Sequence, residues 1–239
     1  MSHLSFLPAL MAGALALAGC DKVDQTLDNR IHAYLLAHPE VVQEAIDKLQ
    51  AKQDAQAAAK AKLAIAKNRQ AIERDPRDFV ANPTGKITVT EFYDYRCPHC
   101  VNAATKVISL IQSDPEVRVV FKEFPIFGAA SDRAATAAIA LKRSGGDYLG
   151  LYRDFMAARP LDDAAINRIL TAHGLTTASL DDPVLKAQAA EQLAAVRHLA
   201  ISLGVEGTPA FIIGDTLVPG EDMAAVRAAI AAARKPGKS

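Results

Sequence analysis

Between Lys86 and Gln112 the sequence changes period once, and two cysteines sit at the change. Lys86 to Tyr95 (KITVTEFYDY) is dense in β-branched and aromatic residues and predicts a strand. Pro98 to Gln112 predicts a helix, whose first turn tolerates proline because that N–H would have no partner anyway. Cys97 thus falls just after a strand at the mouth of a helix, and Cys100 lies about one turn further on. Unpaired N–H groups and the helix dipole at such a point favour an anion, here a thiolate. A free thiol has a pKa of about 8.5, so only a few per cent ionises at about pH 7. Lowering that pKa to about 7 takes about 2 kcal/mol, the upper end of what a helix terminus supplies. His99, between the cysteines, can add hydrogen bonding or positive charge.

Around this unit the pattern is regular. Val117 to Phe124 (VRVVFKEF) predicts a second strand. A helical block follows, punctuated by Gly145-Gly146, Pro160, Gly174 and the start signal Asp181-Asp182-Pro183. Its last helix runs from Pro183 to Leu203 and stops at Gly204. Phe211 to Val218, with Gly214-Asp215 at its centre, reads as a β-hairpin. Met223, Val226 and Ile230 mark the buried face of a closing helix. The order β-α-β, helices, hairpin, α predicts an α/β chain with a thioredoxin-like fold. The helices at about 129–203 are too long for a simple crossover, so they form an inserted cap.

Residues 1–20 read as an export signal, with Leu7 to Ala18 as its short apolar stretch. The segment MSHLSF before it carries no Lys or Arg, a departure from the usual pattern. Two cleavage readings stay open. Ala16-Leu17-Ala18 fits the small-x-small rule, whereas Leu17-Ala18-Gly19-Cys20 resembles a bacterial lipobox, which would make Cys20 a lipidated first residue. Residues 21–78 form a helical extension. Within it an uninterrupted helical pattern runs from Glu40 to about Arg74, about 50 Å if continuous. Val42, Ile46 and Leu49 make an apolar seam that then meets Gln53, Gln56 and Lys60, so the heptad is not sustained. The extension is either a solvated spacer or an oligomerisation stalk with its contacts in residues 31–49.

Composition removes several alternatives. Lys+Arg and Asp+Glu are equal at 27 each, so the basic excess of a nucleic-acid binder is missing. Three cysteines are too few for a secreted disulfide scaffold. One Cys-x-x-Cys does not supply the four ligands of a structural zinc, and the remaining histidines are scattered singly.

The segment EFYDYRCPHC resembles the active-site segment of the DsbA family, including the dipeptide Pro98-His99. Gly207-Thr208-Pro209-Ala210-Phe211 resembles that family's cis-proline loop. The likeness covers residues 79–234 within a domain at 79–239. The N-terminal extension and FKEFPIFG look most like ScsC-type relatives, some of which oligomerise through that extension. The resemblance implies a periplasmic thiol–disulfide oxidoreductase. Cys97 would be the nucleophile, Cys100 the more buried resolving thiol, and His99 the stabiliser of the Cys97 thiolate. Thr208 and Pro209 would shape the client groove. Glu91 would match the buried acid that assists proton transfer near Cys100, the bland alternative being an exposed strand carboxylate. Asp94 and Glu123 read as ordinary surface or strand-end charges.

The resemblance implies no cofactor beyond the Cys97–Cys100 disulfide itself. The implied partners are exported proteins with cysteines and a membrane redox partner that resets the site. Nucleic acid is not among them. A lipidated Cys20 would anchor the chain to the membrane, and a homo-oligomer, a trimer by resemblance, is implied. Direction stays open: Pro98-His99 favours a dithiol oxidase, whereas Thr208 and the extension favour a disulfide isomerase. The competing readings are a protein holding a soft ion such as Cu(I) on the same two thiolates, and a structural protein with a static bond.

Overall fold

The computed structural model describes residues 20–234, with side chains from Thr26 onward. The export signal expected at residues 1–20 lies outside them, except for Cys20, whose backbone opens the first helix. Helix α1 spans Cys20–Ala37 and α2 spans Pro39–Glu73, separated only by His38. Proline disfavours a helical conformation at the residue before it, which accounts for the break at His38. Among the described residues no helix is long and apolar enough to cross a membrane.

The chain divides into two compact units at Ala55/Gln56, inside α2. In the first unit Leu27, Ile31, Tyr34, Leu36, Val42, Ile46 and Leu49 are all exposed. In the second, strands β1 (Phe79–Ala81), β2 (Ile87–Tyr93), β3 (Val117–Glu123), β4 (Ala210–Ile213) and β5 (Thr216–Pro219) form one sheet in the order β1-β3-β2-β4-β5. Only β2 and β3 run parallel, joined by the crossover helix α3 (Pro98–Ser113). The helical insertion comprises α4 (Ala129–Arg143), α5 (Tyr148–Ala157), α6 (Asp163–Ala172), α7 (Thr177–Leu180) and α8 (Pro183–Leu203), and α9 (Met223–Arg234) closes the chain. This is the expected thioredoxin-like fold with a helical insertion and an N-terminal helical extension.

The helix boundaries follow their caps. Asp182 accepts a hydrogen bond from Val184 N–H at 2.8 Å at the start of α8, and Gly204 ends it in the left-handed region at φ 72°. Strand β1 was not foreseen. It is three residues long and is held by pairing with β3. Asn82, at φ 49°, closes the following turn by donating to the carbonyls of Ile111 and Val117 at 2.9 and 3.1 Å. Gly85 is required there, because a Cβ would come within 2.8 Å of the backbone at Glu116 and Arg118.

The alternation of β2 sends its side chains to two cores. Val89 and Tyr93 face Val107 of α3, Leu151 and Phe155 of α5, and Val226 of α9. Phe92 faces the other way, onto Val196, Leu199 and Leu203 of α8 and onto Ile65 and Ile72 of α2. The last turns of α2 are therefore part of the sheet's second covering layer. The compact unit that holds the sheet accordingly begins at Gln56, and fully burying each isoleucine contributes roughly 1.5–3 kcal/mol. Polar groups finish the joint. Lys122 Nζ donates to Ala71 C=O at 2.6 Å, Arg118 to Glu73 C=O at 2.8 Å, and Thr90 Oγ1 to Ile72 C=O at 3.2 Å. These are the orphan carbonyls of a helix C-terminus, where cations are also favoured by the dipole. Lys122 also pairs with Asp78, both fully buried.

Candidate active site

Strand β2 ends at Tyr93, and a three-residue turn delivers Cys97 to the N-cap of α3 with Pro98 in the first turn. The turn is held by Asp94. One carboxylate oxygen accepts from Arg96 N–H at 2.7 Å and Ser131 Oγ at 2.8 Å; the other accepts from the N–H groups of Ile126 and Phe127 at 2.7 and 3.0 Å. Asp94 was expected to be a surface charge. It is buried because four donors, three backbone N–H groups and one hydroxyl, need an acceptor between the β2–α3 turn and the β3–α4 loop.

The Cys97 thiol donates to the carbonyl of Thr208 at 3.1 Å. Thr208–Pro209 is a cis peptide, as the sequence implied, and so is Arg159–Pro160, which nothing in the sequence marked. Cys97 is held at a pKa of about 5. The Cys100 thiol and the backbone N–H groups of Cys100 and His99 donate hydrogen bonds to its sulfur, and together they outweigh its burial. Cys100 is wholly buried, which pushes its thiol far up, and the hydrogen bond it gives to Cys97 pushes it further. Asp94 N–H donates to Cys100 Sγ at 3.5 Å. One thiol of the pair thus ionises readily and the other keeps its proton.

Glu91 lies on the same face of β2 as Val89 and Tyr93 and is completely buried. The Tyr152 hydroxyl of α5 donates to both carboxylate oxygens at 3.5 Å. Burial pushes its pKa up to about 8, so it is a neutral acid at about pH 7. Its charge would raise the Cys100 pKa, which places the two groups within electrostatic reach. Glu123 is also fully buried, not the strand-end charge expected. It accepts from the hydroxyls of Tyr148 and, at 3.4 Å, Tyr93, while burial pushes its pKa to about 7. Tyr93 is in turn bonded to Tyr148 at 2.7 Å and Tyr95 at 2.9 Å. Four of the chain's five tyrosines gather beside this site, a clustering that the sequence carried only as the pair Tyr93/Tyr95 and the pair Tyr148/Tyr152.

His99 lies at the surface beside a carboxylate. Its side chain is 66% exposed, and Nδ1 lies 3.2 Å from Glu221 Oε1, a residue the sequence had not flagged. The His99 backbone N–H also hydrogen-bonds the Cys97 sulfur. Among the described residues no cluster of three or more His, Cys, Asp or Glu side chains could hold a metal ion.

A dithiol at a helix N-terminus, facing a cis-proline loop in a sheet with a helical insertion, defines a thioredoxin-fold oxidoreductase. The DsbA-like thioredoxin domain matches residues 88–231, and the N-terminal domain of the copper resistance protein ScsC matches residues 27–56. The chain belongs to the DsbA-like thioredoxin family of thiol–disulfide oxidoreductases. A thioredoxin-like oxidoreductase from Silicibacter pomeroyi is 36% identical, with 71% of this chain and 99% of that one covered and a TM-score of 0.67. Proteus mirabilis ScsC in a transitional conformation is 25% identical over 89% of this chain and 97% of that one, at a TM-score of 0.66. The Wolbachia pipientis thiol–disulfide exchange protein alpha-DsbA2 is 26% identical over 73% and 96%, at 0.66. A search of curated proteins found no match.

Proposed function

We propose that this chain exchanges disulfides with exported, cysteine-containing proteins in the periplasm through the pair Cys97–Cys100. The observation that carries this is the placement of the Cys97 sulfur at the start of α3, 3.1 Å from the carbonyl that precedes the cis proline. That carbonyl belongs to a backbone edge which an extended client peptide can pair with once it displaces the thiol. In the oxidising direction a client thiolate attacks Cys97 Sγ, the Cys97–Cys100 bond breaks, and Cys100 leaves with the electron pair. Cys100 takes up a proton for which neutral Glu91 is the source. A second client thiolate then attacks the client sulfur of the mixed disulfide and expels Cys97 as a thiolate. The client loses two electrons and the pair gains them; the redox group is the disulfide itself, and a membrane-bound disulfide or dithiol partner resets it. Run from the reduced state, the Cys97 thiolate attacks a wrong client disulfide, which is isomerisation. The redox potential together with refolding of scrambled ribonuclease distinguishes the two directions.

The extension supports a homo-oligomer, a trimer by resemblance, because its apolar side chains are exposed in the single chain. Cys20 would carry the lipid anchor. A Cu(I) role for the same thiolates is the weaker reading. Residues 27–56 contain neither Cys nor Met, so the segment that matches the copper resistance protein supplies no soft ligand.

The roles within the pair are tested by trapping. Cys100→Ala keeps the attacking thiolate and removes the resolving one, so mixed disulfides with clients should accumulate on non-reducing gels. Cys97→Ala should trap none. Equal trapping by both variants would invert or abolish the assignment.

A further inference from the structure

We propose that Glu221 is a positioning residue of the exchange site: its carboxylate holds the His99 imidazole away from Cys97 and so moderates the oxidising strength of the pair. This deepens the functional reading above and rests on it.

The geometry begins with what surrounds each group. The sulfur of Cys97 is met by Cys100, the Thr208 carbonyl and the backbone N–H groups of Cys100 and His99. The imidazole of His99 sits on Glu221 Oε1 at 3.2 Å, although with a side chain 66% exposed it has room to turn elsewhere. Something must therefore hold it, and the backbone of Glu221 is built to do so. Gly220 N–H donates to Pro209 C=O at 2.8 Å, which ties the preceding residue to the cis-proline loop itself. Gly220 stands at φ 74°, which permits that turn. On the other side Met223 N–H donates to Glu221 C=O at 2.8 Å, and the Asp222 carboxylate accepts from Ala224 and Ala225 N–H at 3.0 Å, capping α9. Glu221 is thus fixed between the cis-proline loop and the start of a helix, facing α3. The groups that face its carboxyl are His99, Asn102 and Lys106, all from α3, and they hold it below the usual carboxylate range, His99 most of all.

The sign follows from the charges around the ring. Glu221 places a negative charge against the imidazole and engages its Nδ1. Removing the carboxylate takes away that opposing charge and frees the ring, whose protonated form stabilises a nearby thiolate, to turn toward Cys97. A more stable thiolate means a more stable reduced form, hence a stronger oxidant. Glu221 works against that.

The test uses the full chain and compares wild type, Glu221→Gln, His99→Ala and the double variant. Each is equilibrated in glutathione redox buffers, and thiolate absorbance is followed against pH. Glu221→Gln should lower the Cys97 pKa and move the glutathione equilibrium constant about two- to fivefold toward the reduced form, the range of a surface ion pair. In the His99→Ala background the same substitution should be nearly silent. No change, a change toward the oxidised form, or an equal change without His99 would each overturn the proposal while leaving the functional reading in place. A wild-type chain that fails to exchange with glutathione would overturn both.

Discussion

Cys97 and Cys100 stand three positions apart on one helix, yet the fold makes opposite demands on their thiols. Cys97 occupies the N-cap, where N–H groups point at it; Cys100 sits one turn inside, wholly buried, and donates back to Cys97. The depressed Cys97 pKa adds stability to the reduced protein above the thiol's ordinary pKa of 9.0, and that stability is lost as pH falls through about 5. Cys100, with its raised pKa, adds nothing to the slope below that ordinary value. The reduced form should therefore gain stability over the oxidised form as pH rises from about 5 to about 9, read from denaturant unfolding of both. A flat difference would count against the assignment. Glu91 shows the reverse linkage. Its folded pKa of about 8 lies above the ordinary 4.5, so its contribution is full below about 4.5 and is lost as pH rises through about 8. Glu91→Gln should remove a cost of roughly a few kcal/mol at about pH 9 while slowing Cys100-dependent resolution of mixed disulfides. If resolution is unaffected, Glu91 is only a buried acid. Its burial was legible, since a β-branched and aromatic run is a central strand. The burial of Asp94 and Glu123 was not, because strand-end carboxylates are ordinarily solvated and their partners come from the distant α4 and α5.

At the scale of elements, α2 is the instructive case. Its helical period and bounds were readable, but the side chains of its last turns look like those of any Ala- and Lys-rich helix. Which of them face protein was decided by β2, β3 and α8. Ile72 is fully buried against that layer, so Ile72→Ala should cost about 2–5 kcal/mol in an unfolding titration. Val42→Ala, at an exposed position, should cost far less in a monomeric form. Similar costs at both positions would show that α2 is not docked as described. Any truncation meant to spare the catalytic unit has to stop before Gln56.

For the whole molecule, the exposed apolar side chains of α1 and α2 present the remaining demand. Ile31, Val42, Ile46 and Leu49 would each contribute about 1.5–3 kcal/mol if buried between copies. The mature chain should therefore scatter light as an oligomer, and removal of residues 21–50 should give a monomer that still oxidises dithiols but isomerises poorly. Mass spectrometry of the same preparation should find an acyl group on Cys20. A monomeric mature chain at tens of micromolar would leave the extension as a tether only. By itself the sequence determined the elements other than β1, their order and the two reactive thiols, because strand and helix periods, caps and turn residues act over a few positions. Only the tertiary structure decided where the catalytic unit begins, which carboxylates are buried, and that His99 answers to Glu221. Each of those depends on groups distant in the chain that meet only when the sheet is covered on both faces.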